Sequence, residues 1–255
     1  MPTALITGAT DGLGRHVARD LAADGWTVLV HGRSRAKAEA VLPGARVYVA
    51  DLSSLAEVRR LADEVLANEP RLDVLVNNAG IGSAAGAGRQ ESADGLELTF
   101  AVNYLSHVLL TLRLLELLER SAPSRIVNVA SAGQTAIDFD DVQLERGWSG
   151  GRAYTQSKLA QIMFTISLAE RLEGTGVSVN ALHPATYMHT KMVLQARGSS
   201  LSTVEEGAEA TERLITSDVG SGHYFNGLRE ARADPQAYDA AAREKLWDLS
   251  ERLAG

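Results

Sequence analysis

A tyrosine and a lysine one helical turn apart are the residues of this chain best suited to proton-transfer chemistry. Tyr154 and Lys158 are four residues apart, so on a helix their side chains lie on the same face. An ammonium beside a phenol favours the phenolate and lowers the tyrosine pKa from its usual value of about 10. Such a phenol can exchange a proton with a carbonyl or alcohol oxygen near neutral pH. The same spacing is common on solvated helices. The pair therefore indicates catalysis only in combination with the motifs around it.

A glycine-rich segment near the amino terminus has the character of a phosphate-binding turn. Residues 7–14 read Thr-Gly-Ala-Thr-Asp-Gly-Leu-Gly, between a predicted strand and a predicted helix. Glycines there let the backbone approach a pyrophosphate, and the free amides at the helix start bind the anion. The spacing differs from the Gly-x-Gly-x-x-Gly fingerprint, so a plain turn is the alternative. The candidate cofactor residues in this segment are Gly8, Thr10, Asp11, Gly12, Leu13 and Gly14.

The end of the second predicted strand favours NADP(H) over NAD(H). An NAD site usually places an acidic residue about 20 residues beyond the glycines. This chain has His-Gly-Arg-Ser at 31–34 instead, with Arg33 and Ser34 as the candidate contacts and Arg15 as a second cation. A guanidinium binds the 2′-phosphate of NADP(H) well. The alternative is that these arginines are solvated surface charges.

Two further strand ends supply candidate cofactor contacts. Asp51 can accept from the adenine amino group and Leu52 can pack on the ring, although Asp51 or Ser53 is equally suited to cap a helix. Residues 77–80 read Asn-Asn-Ala-Gly, and small residues there let a cofactor lie against the backbone. The candidates in that motif are Asn78, Ala79 and Gly80.

Short apolar runs that alternate with amphipathic stretches predict the elements that position these residues. We expect an α/β fold, a single Rossmann-type domain over residues 1–255, with a doubly wound parallel sheet of about seven strands and helices on both faces. The predicted strands are 4–7, 26–31, 46–49, 74–77, 125–130, 177–182 and 223–226. The predicted helices are 13–23, 34–42, 53–68, 94–120, 152–173 and 235–253.

Three segments interrupt this alternation, at 82–88, 132–151 and 185–207. Each follows the carboxyl end of a predicted strand, where open parallel sheets bind their ligands. We therefore expect these segments to form the walls of a substrate site. The apolar side chains in these segments are Phe139, Trp148, Tyr187 and Met192. They favour a bulky apolar or aromatic carbonyl compound as the substrate. The alternative is that they only pack the segments against the rest of the fold.

Composition and charge argue against several classes of function. The net charge of -7 disfavours binding to nucleic acid or to an anionic membrane, and the absence of cysteine excludes disulfides and thiolate chemistry. His183 and His189 have no third ligand nearby, so no metal site is expected. No signal peptide and no apolar stretch of about 18 residues is recognised, which leads us to expect a cytoplasmic protein without a membrane span.

Taken in order, these motifs resemble those of the short-chain dehydrogenase/reductase family. The set comprises the glycine-rich segment, Asn-Asn-Ala-Gly, Ser131 and Tyr154-x-x-x-Lys158, and the resemblance extends from residue 4 to residue 190. Residues 100–103 are similar to the family segment that carries its fourth catalytic residue, here Asn103. The long stretch between Ser131 and Tyr154 resembles the retinol-dehydrogenase-like branch, whose vertebrate members often carry a membrane anchor.

The resemblance implies a role for each member of the catalytic set. Tyr154 would be the general acid in reduction and the base in oxidation, while Lys158 would lower its pKa and hold the nicotinamide ribose. Ser131 would hydrogen-bond the substrate oxygen as the hydride arrives, and Asn103 would help to position a water that relays protons past Lys158. The cofactor, NADP(H), would supply the hydride.

One segment departs from the family pattern. Residues 183–190 take the place of the family's Pro-Gly segment, which binds the nicotinamide amide, with Ala185 replacing the glycine and Thr190 one residue further on than usual. The candidates for this contact are therefore Pro184, Ala185 and Thr186. Helices equivalent to 94–120 and 152–173 commonly pair across subunits, which implies a homodimer or homotetramer, although relatives with a long insert can be monomers.

Three functional hypotheses follow. The first is an NADP(H)-dependent carbonyl reductase or alcohol dehydrogenase acting on an apolar small molecule. The second keeps the enzyme but changes the step, to a redox-linked reaction on a polyketide, quinone or sugar-derived substrate with dehydration or epimerisation. The third is a non-catalytic, NADPH-binding regulatory protein.

Overall fold

The protein is built around one mixed sheet in which seven strands run parallel. The computed structural model describes residues 1–82 and 88–255. The strand order is β3-β2-β1-β4-β5-β6-β7-β8, and only the β7–β8 pair is antiparallel. The order reverses between β1 and β4, which is where doubly wound sheets bind their ligands. The strands are β1 Thr3–Ile6, β2 Thr27–Gly32, β3 Arg46–Val49, β4 Val74–Asn77, β5 Ser124–Val129, β6 Val177–His183, β7 Tyr224–Asn226 and β8 Arg229–Glu230.

Helices cover both faces of this sheet, as the alternating pattern predicts. Successive residues of a strand point to opposite faces, so Leu5 belongs to one hydrophobic cluster while Ala4 and Ile6 belong to the other. The first cluster is formed with α3, α4, α5 and α8, and the second with α1, α2 and α7. The helices are α1 Gly12–Ala23, α2 Arg35–Glu39, α3 Leu55–Asn68, α4 Leu98–Arg120, α5 Gly150–Arg171, α6 Lys191–Arg197, α7 Val204–Thr216 and α8 Ala240–Ala254.

The predicted elements are confirmed with small shifts, and three elements are additional. Strand β8 has two residues, which is too short for a periodic signal. Helix α7 begins at a capping box in which Thr203 accepts from the Glu206 amide, and both α6 and α7 follow the irregular 183–190 segment that obscured them. The predicted terminal helix is instead a 3₁₀ turn, Pro235–Tyr238, followed by α8 with Asp239 as its N-cap.

Helix α4 corrects the expectation about apolar stretches. It has 23 residues and its most apolar 18-residue window has a mean hydropathy of 1.4, so by length and composition it meets the requirement for a membrane span. However, 78% of that window is buried inside the fold, where the helix packs between the sheet, α3 and α5. Residues Ala101–Leu105 form a π-helical turn within it, a feature that often marks functional sites.

The carboxyl-terminal helix packs over α4 and α5. Trp247 of α8 stacks on Phe164 of α5 with ring centres 5.7 Å apart, and the hydroxyls of Tyr104 and Ser250 lie 2.7 Å apart. As a result α5 is buried on every side between Gln156 and Leu168 within a single chain. The helix therefore has no one-sided apolar stripe in this stretch.

Candidate active site

The glycine-rich turn and the end of β4 pack against each other so closely that only glycine fits. Gly8 has φ of +65°, and a Cβ there would lie 2.8 Å from the Ala79 Cα. A Cβ on Gly14 would lie 2.4 Å from the Asn78 Nδ2 and 2.7 Å from the Gly8 carbonyl oxygen. The structure thus brings these four predicted residues together at the point where the strand order reverses.

Asn78 stabilises the glycine-rich turn through hydrogen bonds to Thr7. Its Nδ2 donates to the Thr7 carbonyl at 2.8 Å, and the backbone amides of Asn78 and Ala79 donate to the Thr7 Oγ1 at 2.9 and 3.0 Å. The Asn78 side chain is therefore committed to holding β4 against the end of β1. This leaves the neighbouring backbone and Gly80 as the surface that a cofactor can approach.

A buried histidine that sequence reasoning missed supports the same turn. Nδ1 of His31 accepts from the Gly8 amide at 3.2 Å, and Nε2 lies 3.2 Å from the Ala50 carbonyl. Burial lowers the pKa of His31 to about 4, so the ring is neutral at neutral pH. A polar residue at the end of an otherwise apolar strand was the signal available in the sequence.

The predicted 2′-phosphate contacts lie just beyond β2. Arg33 is exposed at the end of this strand, and Ser34 caps α2 by accepting from the Lys37 amide at 3.5 Å. Gly32 is required because a Cβ would lie 2.3 Å from the Thr10 Cγ2. Thr10 and Arg33 are thereby placed on adjacent strand ends, with the Arg33 side chain open to solvent.

Asp11 has a partner that the sequence did not reveal. It is the N-cap of α1, where it accepts from the Gly12 amide at 2.9 Å, and its Oδ2 lies 2.8 Å from the Lys191 Nζ. The hydrogen bond with Lys191 is the main cause that lowers the pKa of Asp11. A Cβ on Gly12 would lie 3.2 Å from the Thr190 Cγ2, so the start of α6 packs directly over the glycine-rich turn.

The two predicted adenine contacts differ in exposure. Asp51 is half-buried and its Oδ1 accepts from the Ser53 amide at 3.0 Å, whereas Leu52 is 4% exposed and belongs to the core. Little of the Leu52 surface is left for an adenine ring. Neither Asp51 nor Ser53 caps α3, because that position is taken by Ser54, which accepts from the Glu57 amide at 3.4 Å.

Ser131 and Tyr154 meet where the β5 end faces the start of α5. Two hydrogen bonds hold Ser131 in place. Its carbonyl oxygen accepts from the Tyr224 hydroxyl at 3.1 Å, and its Oγ accepts from the Gly133 amide at 3.1 Å. Burial raises the pKa of Tyr154, and a hydrogen bond with Ser131 acts against this shift. The expectation of a lowered pKa is therefore wrong for this structure, because burial outweighs the favourable contact.

Lys158 lies beside Tyr154 but is held by other groups. Its Nζ is 5.7 Å from the centre of the Tyr154 ring, and it donates to the Val129 carbonyl and to the Gln161 Oε1, both at 2.8 Å. Burial lowers the pKa of Lys158 to about 7. Since the amine is close to half-protonated at neutral pH, its charge is sensitive to these two acceptors.

Asn103 lies in the π-helical turn of α4, and its side chain is fully engaged. Its Oδ1 accepts from the Ile81 amide at 2.8 Å, and its Nδ2 donates to the Ile81 carbonyl at 3.0 Å and to the Ser157 Oγ at 3.2 Å. The side chain therefore fixes the loop after β4 to α5. A Cβ on Gly80 would lie 3.4 Å from the Asn103 Oδ1 and 3.7 Å from the Lys158 Nζ, so glycine keeps this corner open.

The 183–190 segment brings its predicted residues to the same edge of the sheet. Pro184 is buried, Ala185 is half-buried and Thr186 is exposed, with its Oγ1 3.1 Å from the His183 Nε2. His189 instead lies 3.1 Å from the Ser200 Oγ. Within the described ranges, no group of three or more histidine or acidic side chains is placed to bind a metal ion.

The apolar candidates for a substrate wall separate into two groups. Trp148 donates from Nε1 to the Glu97 Oε1 at 3.3 Å, and Phe139 packs against the hydrophobic core, so both anchor the segment after β5. Tyr187 is 41% exposed, and Met192 lies against Gly82, where a Cβ would be 3.4 Å from the methionine Cγ. Of the predicted wall at 82–88, residues 83–87 lie outside the described part of the chain.

This geometry agrees with the comparison with known families. The profile described as short chain dehydrogenase matches residues 2–199. The chain belongs to the short-chain dehydrogenase family. Retinol dehydrogenase 14 of Homo sapiens is 39% identical, and the match covers 99% of this chain and 86% of that protein. The protein is therefore a short-chain dehydrogenase of the retinol-dehydrogenase-like branch.

Solved structures show the same fold for this short-chain dehydrogenase. A structure of an uncharacterized protein from Mycobacterium paratuberculosis has a TM-score of 0.83 and 32% identity, covering 100% of this chain and 93% of that one. The 3-ketoacyl-(acyl-carrier-protein) reductase of Brucella melitensis, solved with NADH, has a TM-score of 0.72 and 25% identity, covering 88% and 96%. Membership of the family makes the protein an oxidoreductase that acts on alcohol or carbonyl groups.

Proposed function

We propose that this protein transfers hydride between NADP(H) and the carbonyl or alcohol carbon of an apolar small molecule, with Tyr154 as general acid and base. The observation that carries the proposal is the convergence of Ser131, Tyr154 and Lys158 on one corner, beside a cradle in which Gly8 and Gly14 have no room for a Cβ. Such a cradle fits a dinucleotide, which needs close approach to the backbone.

The residues of this corner suit carbonyl reduction step by step. A nicotinamide cofactor held beside this corner would supply the hydride for the carbonyl carbon. The Ser131 hydroxyl donates to the carbonyl oxygen and stabilises the developing charge, and Tyr154 transfers its hydroxyl proton to that oxygen. The products are an alcohol and the Tyr154 tyrosinate. The nearby Lys158 ammonium stabilises the tyrosinate until Tyr154 regains a proton from solvent. Oxidation of an alcohol follows the same path in reverse.

The choice of NADP(H) depends on the end of β2. No acidic residue stands at 31–34, and the exposed Arg33 guanidinium is free to bind a 2′-phosphate in a bidentate manner. Solved structures of similar fold hold NADP in one case and NADH in another, so the fold alone does not select the cofactor. The local residues of this chain therefore carry the cofactor preference.

Titration with NADPH and with NADH, followed by nicotinamide fluorescence, tests this choice. We expect the wild-type protein to bind NADPH at least ten-fold more tightly, a difference of about 1.4 kcal/mol. Arg33→Asp should weaken NADPH binding far more than NADH binding. Arg252→Asp makes the same change of charge at an exposed position of α8 and should leave both affinities unchanged. Equal effects of Arg33→Asp on the two cofactors would contradict the assignment.

Substitution of the catalytic tyrosine tests the mechanism. Tyr154→Phe removes the transferable proton while keeping the ring, so turnover should fall by about 10²-fold or more with NADPH affinity nearly unchanged. Tyr238→Phe removes another tyrosine hydroxyl, one that accepts from the Ala233 amide, and should leave turnover intact. Unchanged turnover in Tyr154→Phe would overturn the assigned role.

The retinol dehydrogenases among its relatives support an apolar substrate, and retinal is the first compound to assay. Tyr187 and Met192 are the apolar side chains left near the cleft once Phe139 and Trp148 are assigned to packing. We expect activity with retinal and with bulky aromatic ketones to exceed activity with small polar ones. Tight NADPH binding without turnover of any carbonyl compound would instead favour a regulatory, non-catalytic protein.

A further inference from the structure

Gln161 joins the candidate catalytic lysine to a buried histidine on the neighbouring helix. Its Oε1 accepts from the Lys158 Nζ at 2.8 Å, and its Nε2 lies 2.8 Å from the His107 Nδ1. All three side chains are buried, with exposures of 4% for Lys158 and 1% for both Gln161 and His107. The amide therefore occupies a single position between a cation and an imidazole.

The chemistry of these groups sets the orientation of the amide. An ammonium only donates, so the Gln161 carbonyl oxygen must face Lys158 and the NH₂ group must face His107. Nδ1 of His107 must then accept, which requires a neutral ring with its proton on Nε2. Burial and the positive charge of Lys158 lower the pKa of His107 to about 3, against a weaker opposing effect of the Ala79 backbone, so this neutral form is the stable one.

In the described part of the chain, the His107–Gln161 contact is one of two side-chain hydrogen bonds that join α4 to α5. The other is the hydrogen bond from the Asn103 Nδ2 to the Ser157 Oγ at 3.2 Å. Asn103 and His107 are four residues apart on α4, and Ser157 and Gln161 are four residues apart on α5, so each pair lies on one helix face. Lys158 follows Ser157 directly and is thereby held between two fixed points.

Two of the three ammonium protons of Lys158 are assigned by this arrangement. One is donated to the Val129 carbonyl and one to Gln161, which leaves the third for Tyr154 or a ligand in the cleft. The titratable side chains that face this amine are Tyr154 on its own helix and His107 on α4. Burial disfavours the charged form of the Lys158 amine, and the hydrogen bond to Gln161 offsets part of this effect. Removal of the Gln161 acceptor would therefore lower the Lys158 pKa further.

We propose that Gln161, held in one orientation by neutral His107, is a positioning residue that keeps the Lys158 ammonium charged and directed at Tyr154. The proposal extends the function proposed above, in which this ammonium stabilises the tyrosinate. It assigns a role to Gln161 and His107 through Lys158, since neither side chain reaches Tyr154 in this structure.

The protein contains four lysines, Lys37, Lys158, Lys191 and Lys245, which makes a direct titration practical. With ¹³C at the lysine ε-carbons, the NMR resonance of Lys158 is assigned by its loss in Lys158→Arg. We expect it to titrate near pH 7 in the wild-type protein. This measurement requires no turnover, so it remains decisive even if no substrate is found.

The test variant is Gln161→Met, which keeps the length of the side chain but removes the acceptor. The Lys158 titration should move down by about one pH unit, because a hydrogen bond to a charged group is lost. The pH profile of alcohol oxidation should move up, since Tyr154 then ionises beside a less charged neighbour. Gln156→Met is the matched control, because Gln156 is 1% exposed on the same helix but donates to the Val142 carbonyl.

The outcomes separate this proposal from the proposed function. A shifted Lys158 titration in Gln161→Met, with none in Gln156→Met, supports the positioning role even if no carbonyl compound is reduced. A Lys158 titration that is the same in wild type and Gln161→Met overturns it, whatever the activity. If Gln161→Met does not fold, Gln161→Asn replaces it, since the shorter amide withdraws the acceptor; an unshifted titration there likewise overturns the proposal.

Discussion

The amide of Gly8 donates a hydrogen bond to Nδ1 of His31 across 3.2 Å. An amide nitrogen only donates, so Nδ1 accepts and the proton of the ring is on Nε2, which faces the Ala50 carbonyl at 3.2 Å. A single neutral imidazole on β2 thus joins Gly8, which follows β1, to Ala50, which follows β3. Protonation of His31 would remove the acceptor that Gly8 needs.

His31 should make the protein less stable as the pH falls from about 6.5 to about 4. The unfolded chain binds a proton near pH 6.5, whereas the folded ring stays neutral until about 4, so the free energy of unfolding decreases by up to about 1.4 kcal/mol per pH unit in this window. His107, with a pKa of about 3, acts in the same direction. Glu212, whose pKa burial raises to about 7, acts in the opposite direction.

Because these contributions overlap, the measurement is the difference between two proteins. Urea unfolding from pH 7 to pH 4 should show a smaller loss of stability in His31→Asn than in wild type. His189→Asn, at an exposed histidine, serves as the control and should follow the wild-type curve. Parallel curves for wild type and His31→Asn would show that the fold does not lower the pKa of His31.

Gly14 and Gly151 should respond in opposite ways to alanine. A Cβ on Gly14 would lie 2.4 Å from the Asn78 Nδ2 and 2.7 Å from the Gly8 carbonyl, so the turn must shift. Gly14→Ala should therefore lower the free energy of unfolding by about 1–3 kcal/mol. Gly151 also lies in the first turn of a helix. Among the described residues, and apart from its chain neighbours and the backbone of its own helix, no atom lies within 4 Å of the position a Cβ would take. Alanine there should stabilise the protein by up to about 1 kcal/mol. Urea unfolding and NADPH titration of both variants check this, and equal stabilities would contradict it.

The ion pair between Asp11 and Lys191 should affect cofactor binding more than stability. Both side chains are largely exposed, so the pair is screened by salt and is worth at most about 1 kcal/mol. Asp11→Ser keeps an N-cap residue but removes a carboxylate from the turn that would hold the pyrophosphate, so NADPH should bind a few-fold more tightly. Lys191→Ala should weaken binding.

Both effects should decrease at high salt, which fluorescence titration in low and high salt would measure. Lys245→Ala, on α8, removes a lysine that is remote from the glycine-rich turn and should leave NADPH affinity unchanged. Weaker binding in Asp11→Ser would mean that the Asp11 carboxylate contributes favourably to the cofactor site.

We expect the protein to be a monomer of 27.2 kDa, although the family resemblance implies a dimer or tetramer. The family resemblance implies subunit pairing through α5, but in this structure α8 packs over that helix. Trp247 of α8 stacks on Phe164, and its ring centre lies 3.9 Å from the Arg171 guanidinium. Light scattering after gel filtration measures the mass. Trp247→Glu should loosen α8 and produce self-association, and a stable wild-type dimer would contradict the prediction.

Local patterns in the sequence determined the order of the strands along the chain, the parallel sheet and the candidate set of Ser131, Tyr154 and Lys158. These features depend on spacings of two to four residues, on glycines that a tight turn requires, and on burial of both sheet faces. For the same reason the strands at 46–49 and 74–77 were predicted with the bounds that the structure has.

Only the tertiary structure decided how the candidate residues are held and charged. His31 meets Gly8 across 23 positions of the chain, Gln161 meets His107 across 54, and Lys191 reaches Asp11 from a helix that no periodicity revealed. These contacts come from packing of distant segments, and burial sets the pKa of each group they involve. Burial also reversed the expected direction of the Tyr154 shift, because desolvation depends on every side chain packed around the phenol and not on its neighbours in the sequence.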